Sequence, residues 1–479
     1  VSVTALNPFS KNNRKAVSII VSLVPFISLS TYNIARTASA YQKKHTGNLF
    51  PEGEQADSYD KREHTQEEAH MKHKPKDIQY CERLFQSFYE IGSTPQGGVT
   101  RLGYTETEDA MHEVFKGLGR ELGGSIHTDE VGNTYVANTD EMGYTLIGSH
   151  LDSVIDGGRY DGVAGVIAGL MVMKWAKEDG LRIPLRVGAF RCEESSNFGC
   201  CTIGSGLITK EVYKQDIGHL TAKNGETLEQ IFASRGLNLH PKQISGVGRY
   251  LELHIEQGKV LEEYQTEVGI VGTVAGPIRY RVYLRGMAEH SGATPMDMRS
   301  DALCAAAEII LELEKIGKQE SAYQSVATVG VIQNYPNVLN VIPGRVEIGV
   351  DMRGIDQDSL NCMERNFKAA VRESCKKRGV EYVAEKINSI PPIRMSAAVE
   401  DGLEQAAKKL GISSRRMPSG AGHDSMSFAD ICDTGMVFIP CRGGISHNPS
   451  EHTEISSICD GARVMYEYLK TVAGLQGQE

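Results

Sequence analysis

The chain has 479 residues, of which 40% are hydrophobic and 23% are charged, an ordinary composition for a soluble globular enzyme. This length exceeds what one small core needs and predicts about two or three domains. The net charge of −10 and the absence of a long basic run argue against nucleic acid as the main partner.

Residues 1–75 form the first predicted segment, a disordered or non-native arm. A basic stretch "KNNRK", an apolar run "AVSIIVSLVPFISLS" and a small-residue stretch "ARTASA" follow in the order of a secretory signal peptide. The apolar run is too short and too interrupted to span a bilayer, so we expect no stable membrane insertion. Alternatively, the arm is not native: "QEEAHM" would be encoded by purine-rich codons, resembling a bacterial ribosome-binding site before a start at Met71.

The cysteines indicate the compartment. All ten follow residue 80, their spacing is irregular, and a chain of this length does not need disulfides for stability. This usage favours a reduced, cytoplasmic protein; the alternative is secretion, if residues 1–40 are a functional signal peptide. No C-x-x-C pair is present, which argues against a structural zinc cluster.

From residue 76 the pattern alternates between helix and strand. Apolar spacing predicts helices at "DIQYCERLFQSFYEIG" and at "TETEDAMHEVFKGLGREL", the second opening with a capping-box pattern. Strand patterns follow at "TYVANT" and "YTLIGSH", then a helix at "GVAGVIAGLMVMKWAKEDG" and a strand at "PLRVGAF". This order predicts an α/β domain over residues 76–266, with a mostly parallel sheet covered on both faces.

The pattern changes over residues 267–392. Glycine-punctuated strands, two long amphipathic helices and a last strand predict two helices on one face of a small antiparallel sheet. We interpret this region as an inserted α+β domain. Residues 393–479 return to the first pattern and should complete the α/β domain.

The stretch "GSHLDSVIDGGRYDG" carries the first candidate site residues. His150 and Asp152 come at the end of a predicted strand, and glycines can aim Asp161 back towards them. Sites in α/β sheets form beyond the carboxyl ends of strands. A histidine among several carboxylates suits a divalent metal. The structural alternative is a polar turn that caps the next helix.

Further candidates follow other strands. Glu193 and Glu194 end an apolar strand, where neighbouring residues point to opposite sides, so one carboxylate could bind metal while the other faces a bound water. His254 lies within apolar–polar alternation, where a core histidine is the alternative. His447 lies in a glycine–proline loop, with His452 as a competitor.

Taken together, the motifs resemble one family. The chain contains, in order, "GSHLDSV", "GGRYDG", "EE", "LHIEQG", "AEHSGATPM", "PNVLNVIPG", "DMR", "GAGHD" and "SHNPSE". This series is similar to the amidase, hydantoinase and carbamoylase group of the aminoacylase/carboxypeptidase-type binuclear metallohydrolases. The resemblance covers roughly residues 76–475. For the fold it implies a metallopeptidase-like catalytic domain with an inserted ferredoxin-like lid and dimerisation domain.

The resemblance also implies a metal centre with two divalent ions, zinc or manganese, with cobalt or nickel as further options. Asp161 would bridge the ions. His150 and His254 would complete the ligands of one ion, and Glu194 and His447 those of the other. Asp152 would fix the ring of His150 from behind. Glu193 would be the general base that takes a proton from the attacking water.

Substrate contacts are implied in the same way. The guanidinium of Arg353 would hold a substrate carboxylate. His290 would stabilise the oxyanion, across a dimer interface in one arrangement. The remaining implied contacts are Gln257, Asn340, Gly422 and His423. For each of these polar residues a structural hydrogen bond is the alternative.

The partner is therefore expected to be a small carboxylate-bearing ureido acid, with a second copy of the chain bound through the inserted domain. The first functional hypothesis is hydrolysis of the carbamoyl C–N bond of N-carbamoyl-L-amino acids. The alternative is an allantoate or ureidoglycolate amidohydrolase. An aminoacylase or dipeptidase is a third, less favoured hypothesis. A non-catalytic metal-binding protein is disfavoured because all candidate groups are present. One departure is "SSNF" after Glu194, where many relatives carry G-x-R-F.

Overall fold

The computed structural model of the chain describes residues 74–209 and 217–476. The predicted N-terminal arm lies almost entirely outside the described residues. The helices are α1 (Pro75–Tyr89), α2 (Glu106–Glu121), α3 (Val163–Glu178), α4 (Ile203–Thr209), α5 (Leu228–Arg235), α6 (Val260–Glu263), α7 (Ala302–Gln319), α8 (Gln357–Arg378), α9 (Ala397–Leu410), α10 (Ser425–Phe428) and α11 (Ile455–Gln476).

The strands form two sheets. They are β1 (Ser125–Thr128), β2 (Thr134–Ala137), β3 (Tyr144–His150), β4 (Leu185–Phe190), β5 (Val247–Ile255), β6 (Val268–Val274), β7 (Gly276–Arg285), β8 (Val326–Tyr335), β9 (Arg345–Gly354), β10 (Glu381–Ser389), β11 (Ile393–Arg394), β12 (Ser414–Ser419) and β13 (Asp433–Ile439). Every helix and strand predicted from the pattern after residue 76 has a counterpart among them.

The large sheet has nine strands in the order β1-β2-β4-β3-β5-β13-β6-β11, with β12 also paired to β6. Its central strands β4, β3, β5 and β13 are mutually parallel, whereas β1, β2, β6 and β11 add antiparallel pairs on either side. The predicted α/β fold with a parallel core is therefore confirmed. The strands at the flanks make the complete sheet mixed.

Both faces of the large sheet are covered. One face packs against α1, α3, α9 and α11, and the other packs against α4, α5 and α10. Along β3, Ile147 points into the first core and Leu146 into the second, and both are fully buried. All seven residues of β3 are buried, as expected for a central strand between two layers of helices.

The small sheet has four antiparallel strands in the order β10-β7-β9-β8. Ile278, Tyr280, Val282 and Leu284 alternate along β7 and are buried in a separate core with α7 and α8. The alternate residues of β7, such as Tyr283, are partly or fully exposed. The two helices thus cover one face of this sheet. Strand β6 falls within the predicted inserted domain, residues 267–392, but it belongs to the large sheet.

The predicted capping box at α2 is wrong. The hydroxyl of Thr105 donates to the Leu102 carbonyl at 2.6 Å and does not cap the helix. Glu108 accepts the backbone N–H of Tyr104 at 2.7 Å and pairs with Arg191 at 2.8 Å. The carboxylate of Glu108, which the local pattern assigned to the helix cap, therefore forms an ion pair with the distant Arg191.

In residues 74–209 and 217–476, no helix combines the length and apolar character needed to cross a membrane.

Candidate active site

The predicted metal-binding residues lie at one edge of the large sheet. His150 is the last residue of β3, and Glu194 follows β4. His254 is near the end of β5, and His447 lies in the loop after β13. Because β4, β3, β5 and β13 are adjacent and parallel, their carboxyl ends meet at this edge. The topology therefore brings together residues that are far apart in sequence.

Two groups of potential ligand atoms share Asp161. One atom each from His150, Asp161 and His254 lie within 4.8 Å of one another, and so do atoms from Asp161, Glu194 and His447. Asp161 Oδ1 is 2.9 Å from His254 Nε2 and 3.6 Å from His150 Nε2. Asp161 Oδ2 is 3.2 Å from His447 Nε2, which is also 3.0 Å from Glu194 Oε1. Each oxygen of Asp161 thus faces a different group.

One buried oxygen in this site lacks a hydrogen bond. Asp161 Oδ1 accepts none from the residues that the structure describes, although two imidazole nitrogens lie nearby. A buried carboxylate oxygen without a partner carries a free-energy cost. A divalent cation among these atoms would satisfy it, since imidazole and carboxylate are its usual ligands. The donor set therefore fits a metal ion.

The charges of the site compensate one another. Although burial raises the pKa of Asp161, the nearby His254, His150 and His447 together hold it well below its usual range. Hydrogen bonds to Asp161 and Glu194 raise the pKa of His447 to about 10. Carboxylates that attract protons to these imidazoles would attract a cation in the same place, so metal binding should release protons.

A glycine makes the Asp161 loop fit beneath His150. Gly162 is the N-cap residue of α3 and has a φ of 67°, which only glycine adopts at low cost. A Cβ atom there would lie 2.5 Å from the carbonyl oxygen of His150 and 2.6 Å from its ring. Close contact between this backbone and the imidazole thus accounts for a glycine next to Asp161.

Asp152 connects two of the strand ends. His150 Nδ1 lies 3.1 Å from the backbone carbonyl of Asp152 and 3.4 Å from its Oδ1. The two carboxylate oxygens accept the backbone N–H groups of Glu193 and Glu194, each at 3.0 Å. Asp152 therefore lies behind the ring of His150. It also holds the backbone of both glutamates.

The two glutamates point to different parts of the site. Glu194 reaches His447, whereas Glu193 Oε2 lies 3.9 Å from His150 Nε2. Burial raises the pKa of Glu193 well above its usual range; His150 opposes this and the negative Glu194 adds to it. Glu193 is therefore a buried carboxyl group beside the potential ligands, rather than one of them.

Some predicted substrate contacts border the ligand groups. Gln257 Nε2 donates to Asp161 Oδ2 at 3.0 Å, and Gln257 itself has a φ of 57°. The ring of His423 lies edge-on to that of His254, with centroids 4.5 Å apart, and its Nε2 is 2.7 Å from the Ser419 hydroxyl. Gly422 precedes His423 in the same loop.

The other predicted contacts come from the small-sheet region. Arg353, on β9, pairs with Asp351 at 3.0 Å and donates to the carbonyl of Gly420, the first residue of the "GAGHD" loop, at 2.7 Å. His290 and Asn340 are both exposed. The segments that carry them are joined, since the backbone N–H of Ser291 donates to the Asn340 carbonyl at 3.0 Å.

Sequence reasoning missed the buried carboxylates that support the ligands. Glu252 is fully buried on β5 and accepts hydrogen bonds from Ser149 and from the backbone of Ser425. Glu451 accepts hydrogen bonds from the loop that carries Asp161. A signal was present for both, because Glu252 directly precedes the motif "LHIEQG" and Glu451 is the last residue of "SHNPSE".

Known proteins resemble this chain over the region that forms the site. The model of peptidase family M20/M25/M40 matches residues 146–471, so the chain belongs to that family. It is 35% identical to an N-carbamoyl-L-amino acid amidohydrolase of Geobacillus stearothermophilus, over 80% of this chain and 97% of the relative. It is 34% identical to the allantoate amidohydrolase of Bacillus subtilis, over 80% of this chain and 95% of the relative.

A crystal structure with the same fold is an amidase of the hydantoinase/carbamoylase family from Burkholderia multivorans. It matches with a TM-score of 0.76 and 32% identity, over 82% of this chain and 98% of that one. The resemblance stated from the motifs is therefore confirmed, and so is the predicted class of enzyme. The chain is a hydrolase of the M20/M25/M40 family, and the two relatives named above are amidohydrolases.

Proposed function

We propose that this enzyme hydrolyses the carbamoyl C–N bond of N-carbamoyl-L-amino acids at a centre of two divalent cations. The observation that carries the proposal is the placement of Asp161, whose two oxygens face two separate groups of potential ligands. The name of the Geobacillus stearothermophilus relative supports the substrate class.

The described side chains suit two cations. His150, Asp161 and His254 would hold one, and Asp161, Glu194 and His447 the other, with zinc or manganese as the metals and cobalt or nickel as alternatives. When bound, such ions lower the pKa of water to about 7 and polarise a carbonyl oxygen. Asp152 would keep His150 and both glutamates in position through the contacts described above.

Glu193 would be the general base. Its carboxylate accepts a proton from the attacking water as the oxygen bonds to the carbamoyl carbon, and it then delivers that proton to the leaving nitrogen. The C–N bond breaks, giving the free amino acid and carbamate, which yields ammonia and carbon dioxide. Burial of Glu193 beside His150 supports this role, since a proton carrier must be close to the ligands without occupying a ligand position.

The substrate carboxylate would bind to Arg353. Its guanidinium already pairs with Asp351, and it lies beside the loop that carries Gly422 and His423. Gln257, Gly422 and His423 would contact the substrate from the large-sheet side, and Asn340 from the small-sheet side. His290 would stabilise the negative charge that develops on the carbamoyl oxygen.

We also propose that the small-sheet region within residues 267–392 acts as an inserted lid and dimerisation domain of a homodimer. Arg353, His290 and Asn340 belong to the small-sheet region, whereas the potential metal ligands belong to the large sheet. Catalysis would then require both regions. A cytoplasmic location fits the ten cysteines, all of which are free thiols.

Hydrolysis of allantoate is the second candidate. The Bacillus subtilis allantoate amidohydrolase is almost as similar to this chain as the carbamoylase is.

The "SSNF" departure after Glu194 has a structural role. Its Asn197 is buried and donates to the carbonyl of Gly103, so this residue fixes the local backbone and does not bring a charge to the site.

A substrate panel tests the proposal. Enzyme stripped with a chelator and reloaded with zinc or manganese is given N-carbamoyl-L-amino acids, their D-enantiomers, allantoate and N-acetyl-L-amino acids, and ammonia release is measured. We expect the highest kcat/KM with an N-carbamoyl-L-amino acid, and no turnover before reloading. Preference for allantoate would favour the second candidate. Release of acetate without ammonia would contradict both.

A further inference from the structure

A buried glutamate outside the ligand set connects the two loops that complete the site. Glu451 is 5% exposed. Its Oε1 accepts the backbone N–H groups of Tyr160 at 2.9 Å and of Asp161 at 3.1 Å. Its Oε2 accepts the hydroxyl of Ser446 at 2.9 Å, and Ser446 directly precedes His447. One carboxylate therefore holds the loop of Asp161 and the loop of His447.

The packing around this carboxylate is equally specific. A Cβ atom on Gly158 would lie 1.9 Å from the carboxyl carbon of Glu451 and 2.0 Å from its Oε1. The carboxylate thus lies directly against the backbone of the "GGRYDG" loop, in space that any side chain at residue 158 would need. The hydroxyl of Ser446 is also 3.4 Å from Asp161 Oδ2, so the same contacts continue to the shared ligand.

We propose that Glu451 is a positioning residue, which fixes Asp161 and His447 relative to each other so that both can hold one cation. This inference rests on the proposed metal centre and is independent of the identity of the substrate. His447 needs such support because it is half exposed and lies in a loop, whereas His150 and His254 lie in buried strands. Loss of Glu451 should therefore weaken cation binding by the group of Asp161, Glu194 and His447. Cation binding by the group of His150, Asp161 and His254 should be affected less.

The test compares Glu451→Met, which keeps the volume but accepts no hydrogen bonds, with Glu451→Gln. The glutamine keeps one oxygen for the two backbone N–H groups, and the Ser446 hydroxyl can turn to accept from the new amide. The metal-free protein is titrated with zinc and with manganese by calorimetry, and bound metal is counted after dialysis. Circular dichroism and thermal unfolding check that each variant folds.

We expect wild type to bind two ions per chain. Glu451→Met should bind the weaker ion, which we assign to the group of Asp161, Glu194 and His447, with about 10- to 100-fold lower affinity. A loss of this size is typical when a partner of a ligand is removed. The stronger ion should change less, and Glu451→Gln should recover most of the loss. The matched control is Glu454→Met, because Glu454 lies in the same loop but is exposed and pairs with Arg442 at 2.8 Å. That control should bind both ions as wild type does.

Wild-type affinity for both ions in Glu451→Met would overturn the inference. If that variant does not fold, Ser446→Ala removes the hydrogen bond that Glu451 accepts on the His447 side, together with the contacts of the Ser446 hydroxyl with Asp161 and Gln257. Unchanged affinity for the weaker ion in that variant would then overturn the inference. A wild-type protein that binds no divalent ion would defeat the proposed metal centre as a whole. The two failures are therefore distinguishable.

Discussion

The large sheet and the small-sheet region contribute to the site in different ways. At the edge of the large sheet, His150, Asp161 and His254 are buried and lie within a few ångströms of one another. In the small-sheet region, His290 and Asn340 are exposed. The comparison teaches that these three potential metal ligands are fixed by the core of the protein. The substrate contacts from the small-sheet region lie on a surface that must also admit the substrate.

The largest expected effect comes from the general base. Glu193→Gln should lower kcat by about 10²- to 10⁴-fold, because general acid–base groups contribute that much. Metal content should stay near that of wild type. The adjacent Glu194→Gln is the matched variant and should lose one ion, since Glu194 contacts His447. Kinetics with N-carbamoyl-L-amino acids and metal analysis measure both. Loss of metal in Glu193→Gln would reverse the two roles.

A smaller effect is expected from the small-sheet region. Arg353→Ala should raise KM for carboxylate-bearing substrates by about 10- to 100-fold, because hydrogen bonds to charged groups contribute about 1.5–3 kcal/mol. Metal content should not change. The control is Arg281→Ala, on strand β7 of the same sheet, whose guanidinium pairs with Glu347 at 2.5 Å. An unchanged KM for Arg353→Ala across the ureido-acid panel would disprove the proposed carboxylate contact.

The smallest effect concerns the loop beneath His150. Gly162→Ala should destabilise the protein by about 1–3 kcal/mol, since it combines a positive φ with a Cβ too close to the His150 ring. Thermal unfolding measures the loss. Gly180→Ala serves as the control: its φ is also positive, at 65°, but a Cβ there would contact nothing within 4 Å. Equal losses in the two variants would show that contact with His150 adds nothing.

The sequence predicted the residues whose position follows from the ends of strands. His150 ends β3, Glu193 and Glu194 follow β4, and a glycine-rich loop returns Asp161, so each could be inferred from local pattern. Arg353, in contrast, was assigned through the resemblance to a family, because its own pattern is also that of a strand-surface ion pair.

What the sequence could not predict depends on contacts between distant segments. Glu108 matched a capping box but is held by Arg191, 83 residues further along the chain. The carboxylate of Asp152 binds the backbone of two glutamates that follow another strand, and no local pattern records such a pairing. Antiparallel β6 was likewise unpredictable, because the order of strands in a sheet depends on tertiary packing.

The most direct test of the central claim is a crystal structure of the protein grown with zinc, with anomalous scattering used to locate the metal. The account predicts two peaks about 3.5–4 Å apart. Asp161 should lie between them, with His150 and His254 on one ion and Glu194 and His447 on the other. A single peak, or two peaks that do not share Asp161, would contradict the account.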